Sequence, residues 1–442
     1  MKTEEIAKYL VKRLSKKADD IVVSLTNGRK TQIKFANSNI VATKTWEEQQ
    51  LELFINYKKR IITTLLCNFS KKAADDLIKK SINFAKTLQP KQDYYGIAKG
   101  PFEYKEIEED YDENIKQLSE ESIDIVKQGI NAAHEQGAKR CAGVLEFADN
   151  KEFFIGSNEV EASQKGTGIY FSIRVFAEKD ASGYSNEVAT RLDNFNQERA
   201  GIEAGRIAKL ALKPQELKPG KYDIIMEPYP FANLLHYFGD SASIFNVESG
   251  ISFLANQLGK RVASKNISIY DDGTKSGGLG SSKFDSEGVP SKKTLLVDKG
   301  ILKTYLHNTS TAKKYKTKTT ANAGLIVPEP TNIIVEPGKL STEDIFKDFS
   351  GLRITNVWYT RFQNYITGDF STIPRDGIFL YKNGKLVKSV KSIRISDNIL
   401  NMFRNIVDTT KEQKQNCGWE VETPIFCGSA LIKNVNITAS TG

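Results

Sequence analysis

Asp20-Ile21-Val22-Val23-Ser24-Leu25 and, beyond Asn27-Gly28, Gln32-Ile33-Lys34-Phe35-Ala36-Asn37-Ser38-Asn39-Ile40 alternate apolar and polar residues in a pattern that returns later in the chain. A hairpin-like pair follows, Leu51-Glu52-Leu53-Phe54-Ile55 and Ile61-Ile62-Thr63-Thr64-Leu65-Leu66, and then a helix over 71–88 with Ala74, Leu77, Ile78, Ile82 and Ala85 on one side. The same order recurs in strand-like runs at 143–147, 153–160 and 168–175, closed by a helix near 197–212. Alternation predicts half-buried strands, Asn27-Gly28 predicts a turn, and spacing of three and four predicts helices. A sheet-plus-helix unit written twice, over about 20–88 and 141–212, predicts two halves around a shared core.

Outward from this duplication, 89–111 is rich in charge, Gly and Pro and reads as a connector before a helix over 120–135. A second break at Lys213-Pro214-Gln215-Glu216-Leu217-Lys218-Pro219-Gly220 precedes a change of texture. Strand-like Tyr222-Asp223-Ile224-Ile225-Met226 leads into a helix that starts at Pro228 or Pro230, and the remainder reads as mainly β with a few helices. Asp298-Lys299-Gly300 and Asn383-Gly384 mark hairpins. The expectation is an α+β protein: a duplicated domain over 1–219 and a mainly β domain over 220–442.

The 442 residues suffice for two ample cores. Ile6, Leu10, Val11 and Leu14 recur at helical spacing among charges, which predicts an amphipathic first helix and not a signal peptide. No apolar run is long enough for a membrane span, so a soluble, cytoplasmic protein without membrane partners is expected. Cys67, Cys141, Cys417 and Cys427 are too scattered for a disulfide framework and are expected to be reduced thiols. The formal charge of +9 raises nucleic-acid binding. The lysines are spread along the chain and clusters such as 313–318 are interrupted, which reads as a solvated surface.

The predicted helix after Pro228 carries Leu234-Leu235-His236-Tyr237-Phe238-Gly239-Asp240-Ser241. Downstream, in order, stand Gly259-Lys260-Arg261-Val262-Ala263-Ser264, Asp271-Asp272-Gly273-Thr274, Asp285-Ser286-Glu287-Gly288-Val289-Pro290, Gly300-Ile301-Leu302-Lys303-Thr304-Tyr305-Leu306, Thr367-Gly368-Asp369-Phe370-Ser371 and Asn383-Gly384-Lys385. With the duplicated first half, this ordered set resembles the TldD/PmbA family, which also bears the label modulator of DNA gyrase. The resemblance implies a cytoplasmic dimeric peptidase system in which TldD-type chains hold zinc through an HExxxH helix and a cysteine near the C-terminus. Here His236 takes the first histidine's place, Tyr237 the glutamate's, Ser241 the second histidine's, and Cys417 the cysteine's. Neither tyrosine nor serine can do the work of the general base or the missing ligand. The resemblance therefore implies a TldE/PmbA-type chain, inactive alone and holding no cofactor of its own. Its zinc-bearing TldD-type partner would cleave unfolded peptide, with this chain in a heterodimer or as a homodimer.

The remaining residues read structurally. His236 in an apolar run is expected to be a packed, hydrogen-bonded residue, and Cys417 and Cys427 to be small buried hydrophobes. His134-Glu135 lacks a second histidine, Gly277-Gly278-Leu279-Gly280-Ser281-Ser282 lacks a P-loop ending and reads as a flexible connector or lid, and His307 near Ser310 is no evidence for a nucleophilic pair. Two alternatives stand beside the main reading: a metallopeptidase with a site rebuilt from His236, Cys417 and unidentified carboxylates, and a nucleic-acid-binding regulator.

Overall fold

The computed structural model describes residues 3–439. The first half is built from α1 (Thr3–Leu14), β1 (Asp20–Ala36), β2 (Asn39–Tyr57), β3 (Arg60–Leu66) and α2 (Lys71–Thr87). An irregular connector and the short α3 (Glu113–Gln117) lead to α4 (Glu121–Glu135), β4 (Arg140–Gly156), β5 (Glu161–Glu178), β6 (Ala181–Ala189) and α5 (Gln197–Leu210). The six strands form one antiparallel sheet, β3-β2-β1-β4-β5-β6, with β1 and β4 paired at its centre. Helix–three strands–helix thus occurs twice around the central pair. Each repeat includes a helix ahead of its first strand; the sequence predicts both of these helices, but its repeat, over about 20–88 and 141–212, does not include them.

Asn27-Gly28 is not a turn. Both residues sit inside the ladder, opposite Gln49 and Glu48 on one side and Lys151 and Asn150 on the other. The reversal falls at Asn37 and Ser38, both with positive φ. Two flanking ladders outweigh a local turn preference, because breaking β1 there would orphan backbone groups on both neighbours. The separate runs predicted at 143–147 and 153–160 likewise merge into β4, which ends at Gly156.

Period-two alternation sends the two faces of this sheet to different partners. Ile21, Val23, Leu25, Ile33 and Phe35 point to the face covered by the four long helices, in two clusters with residues of α1–α2 and α4–α5. Val22, Phe54 and Phe154 point the other way, against Tyr94 and Ile97 of the connector and Phe284 of the second half.

The second half holds two more sheets. One has six strands in the order Ile301–Leu302, Lys293–Asp298, Ile269–Asp272, Ile333–Val335, Val421–Cys427 and Lys414–Gly418. The other has ten strands, with Gly220–Met226 between Ala430–Ala439 and Gly351–Ile354 near its middle. The hairpins at Lys299-Gly300 and Asn383-Gly384 form as predicted, all four residues having positive φ. Between the sheets lies α6 (Pro228–Ser241), whose Phe231, Leu234, Leu235 and Phe238 are fully buried in a single core drawn from both. Among the described residues no helix is long and apolar enough to cross a membrane.

Candidate functional site

Helix α6 enters through Pro228 and Pro230, which fit the first turn because its N–H groups have no intrahelical acceptor. Glu227 before it is mostly buried and paired with Arg353. Asn233, fully buried, fixes the rest of the helix: its Nδ2 donates to the Glu420 carbonyl at 2.6 Å and its Oδ1 accepts from Thr360 Oγ1 at 2.6 Å. One side chain thereby ties α6 to the hairpin that carries Cys417 and to the strand Val357–Asn364.

His236 is mostly buried yet lines a cleft of about 910 Å³. The Thr423 backbone N–H donates to its Nδ1 at 3.4 Å, with Thr423 Oγ1 3.1 Å from the same nitrogen, so the ring proton belongs on Nε2. That nitrogen faces Asp240 Oδ2, one turn on, at 3.6 Å. Burial raises the Asp240 carboxyl and His236 opposes the shift. Cys417 lines the same cleft, its thiol directed at the Glu422 carbonyl at 3.6 Å and pushed up to about 11 by burial.

Tyr237 turns away from the cleft. Its ring packs edge-on against Phe362 with centroids 5.1 Å apart, its hydroxyl donates to the Thr360 carbonyl at 3.3 Å, and burial pushes it up to about 12. Ser241 is buried, and its carbonyl accepts from Ser252 Oγ at 2.7 Å.

Zinc requires deprotonated nitrogen or sulfur donors converging at about 2.0–2.3 Å. Here both imidazole nitrogens are engaged, the thiol is directed at the Glu422 carbonyl, and the phenol points elsewhere. Among the described residues no group of three or more His, Cys, Asp and Glu side chains is placed to hold a metal ion. These residues do not fit zinc.

The other sequence candidates lie apart from the cleft or hold its walls in place. His134 joins the Ala138 carbonyl at 2.7 Å to Ser38 Oγ at 3.0 Å, clasping α4 to the β1–β2 turn. His307 is buried, which lowers it to about 4, and Ser310 Oγ accepts from the Tyr95 backbone N–H. All four cysteines are free, and the Cys427 thiol donates to the Pro228 carbonyl. The Gly-rich run is a tethered divider and not a loose lid. Gln415 holds Leu279 N and the Gly277 carbonyl, Asn332 holds Gly280 N, and Leu279 lies in the wall between the cleft and a second cavity. Asp240, Glu422 and Thr423 were missed as companions of His236. Asp240 had a visible signal, since i and i+4 share a helix face; the other two arrive from a strand nearly two hundred residues away.

Comparison with known proteins fits this architecture. Residues 219–439 match the model of the PmbA/TldA metallopeptidase C-terminal domain, and 113–212 that of the central domain. An uncharacterised protein of Methanocaldococcus jannaschii is 30% identical over 324 residues, 72% of this chain and 76% of that one. The metalloprotease PmbA of Escherichia coli O157:H7 is 28% identical over 54% of this chain and 51% of its own length; the matched region thus spans about half of that relative. Among solved structures, TldE of Thermococcus kodakarensis superposes with a TM-score of 0.88 at 20% identity, covering 98% of this chain and 100% of that one. A Thermotoga maritima chain carrying the gyrase-modulator label does so with 0.88 at 24%, over the same shares. At those identities the likeness carries the fold alone. The chain is a member of the TldD/PmbA metallopeptidase family.

Proposed function

We propose that this chain is the non-catalytic, TldE/PmbA-type subunit of a cytosolic zinc-dependent peptidase complex that acts on unfolded peptides, the zinc belonging to a TldD-type partner. The observation that carries the reading is the state of α6. At the positions of base and second ligand stand a phenol turned to the Thr360 carbonyl and a buried serine, and His236 spends both nitrogens on Thr423 and Asp240. Its contribution would be an interface and a wall of the peptide chamber, with an extended peptide adding to exposed strand edges.

A second reading, a metallopeptidase in its own right, draws on one observation: His236, Cys417, Asp240 and Glu422 share one cleft. Elemental analysis of the purified chain after dialysis without chelator separates the two. The expected result is no stoichiometric zinc. About one zinc per chain, lost on His236→Ala or Cys417→Ser, would favour the rebuilt site. Mixed with a TldD-type chain of the same cell, the protein should sediment as a complex that cleaves a quenched unstructured peptide. All activity should vanish when the partner's HExxxH is mutated. Equal cleavage by the partner alone would reject the proposed role.

A further inference from the structure

We infer that the cleft beside α6 and the aromatic pocket adjoining it form one two-part site for an extended peptide, taking an aromatic side chain in the pocket and a lysine or arginine side chain in the cleft. This deepens the peptide-handling role proposed above and rests on it, since it names the kind of peptide.

The pocket encloses about 710 Å³ where the helix-free face of the first sheet meets the second half of the chain, a size usual for ligand sites. Tyr170, Tyr184 and Tyr229 form its wall, with the Tyr184 and Tyr229 rings 5.1 Å apart, and Trp358 and Trp419 complete it. Trp419 is 73% exposed. A hairpin glycine admits this arrangement: Gly418 has φ +151°, and a Cβ there would stand 2.9 Å from Tyr170 Oη.

One polar group in the pocket wall is unsatisfied. Asn356 is fully buried and its Nδ2 donates to Asp376 Oδ2 at 3.0 Å. A carboxylate only accepts, so the amide cannot be flipped, and Oδ1 is left as an acceptor without a partner. The pocket's own tyrosine and tryptophan rings suit an aromatic side chain, which can stack on them or meet them edge-on.

The cleft supplies the second half of the site. Glu152, Asp240, Asp285, Glu329 and Glu422 line it, and no lysine or arginine does, although the chain carries a net charge of +9. Glu152 is occupied by Ser24 and Gln164, and Asp285 by three backbone N–H groups. Glu329 and Glu422 enter no ion pair among the described residues, and the buried Asn322 in the same wall has an unpartnered Oδ1. A concave surface with one sign of charge concentrates ligands of the other. Leu279, Cys417 and Glu422 line both cavities, so neighbouring residues of one extended strand can reach both.

Two of the three tryptophans, Trp358 and Trp419, line the pocket, so their emission reports binding to the full chain without its partner. The probes are three unstructured peptides of equal length: one with tyrosine beside arginine, one with that tyrosine replaced by alanine, and one with the arginine replaced by glutamate. The first should bind at least about five-fold tighter than either of the others, the scale of one partly exposed charge pair or ring contact. Glu422→Gln and Trp419→Ala, both at exposed positions, should each remove most of that preference. Affinities equal within about two-fold for all three peptides, or no binding of any, would overturn the inference. So would a preference untouched by both substitutions. Cleavage by the mixed complex is measured separately, so a peptidase complex without this selectivity rejects the inference and leaves the subunit role standing.

Discussion

The Thr360 carbonyl that receives the Tyr237 hydroxyl also accepts from Arg361 Nη1 at 2.7 Å, so Tyr237→Phe leaves no buried acceptor unpaired. The substitution should cost less than about 1 kcal/mol in urea unfolding and leave cleavage by the complex unchanged; lost cleavage with intact folding would mean that the phenol does chemistry. Glu287 behaves differently. Burial, reinforced by Asp285, raises it from 4.5 to about 8. Between those values the folded chain keeps a proton that the unfolded chain has released, so this group makes stability fall as pH rises through the window. Glu287→Gln can still accept from the Thr309 N–H that now bonds Oε2 at 3.3 Å. It should shrink the stability difference between pH 5 and pH 8 measured by chemical denaturation. An undiminished difference would assign the pH dependence to other groups.

At the scale of elements, α6 shows how a helix can be legible while its surroundings are not. Its prolines, apolar residues and His236 announce a helix in the sequence, yet the partners of Asn233 are a carbonyl at 420 and a hydroxyl at 360. Asn233→Ala takes its donor from the Glu420 carbonyl, while Thr360 Oγ1 keeps Thr372 Oγ1 at 2.8 Å, and should destabilise by about 1–3 kcal/mol. It should also disturb the Cys417 hairpin, visible as altered Trp419 emission. A variant as stable as the parent, with unaltered emission, would show that packing alone holds the helix. In β1 the lesson is reversed: Asn27-Gly28 looked like a turn because local preference was read without the two strands that flank it.

Over the whole molecule the two halves interlock. Phe379 of the second half sits fully buried in the core of the second repeat, and Phe284 packs against Phe154 of the first sheet. Asp376, whose side chain is wholly buried, accepts from Arg174, Ser182, Asn356 and Trp358. Calorimetry should therefore give one unfolding transition and not two. Asp376→Ala, which leaves Arg174 without its partner, should cost about 3–5 kcal/mol; two separated transitions in the parent would mean that the halves fold independently. The sequence by itself determined the repeated strand-and-helix order, the hairpin turns at Lys299-Gly300 and Asn383-Gly384, the α+β class and the identity of the residues at the degenerate motif, because periodicity and turn chemistry are properties of neighbours along the chain. Only the tertiary structure decided that β1 runs through its apparent turn, that Tyr237 faces away from the cleft, and that an acidic cleft and an aromatic pocket meet at Cys417. Those features depend on side chains brought together from far-separated strands, and the register and packing that unite them are set by the whole fold.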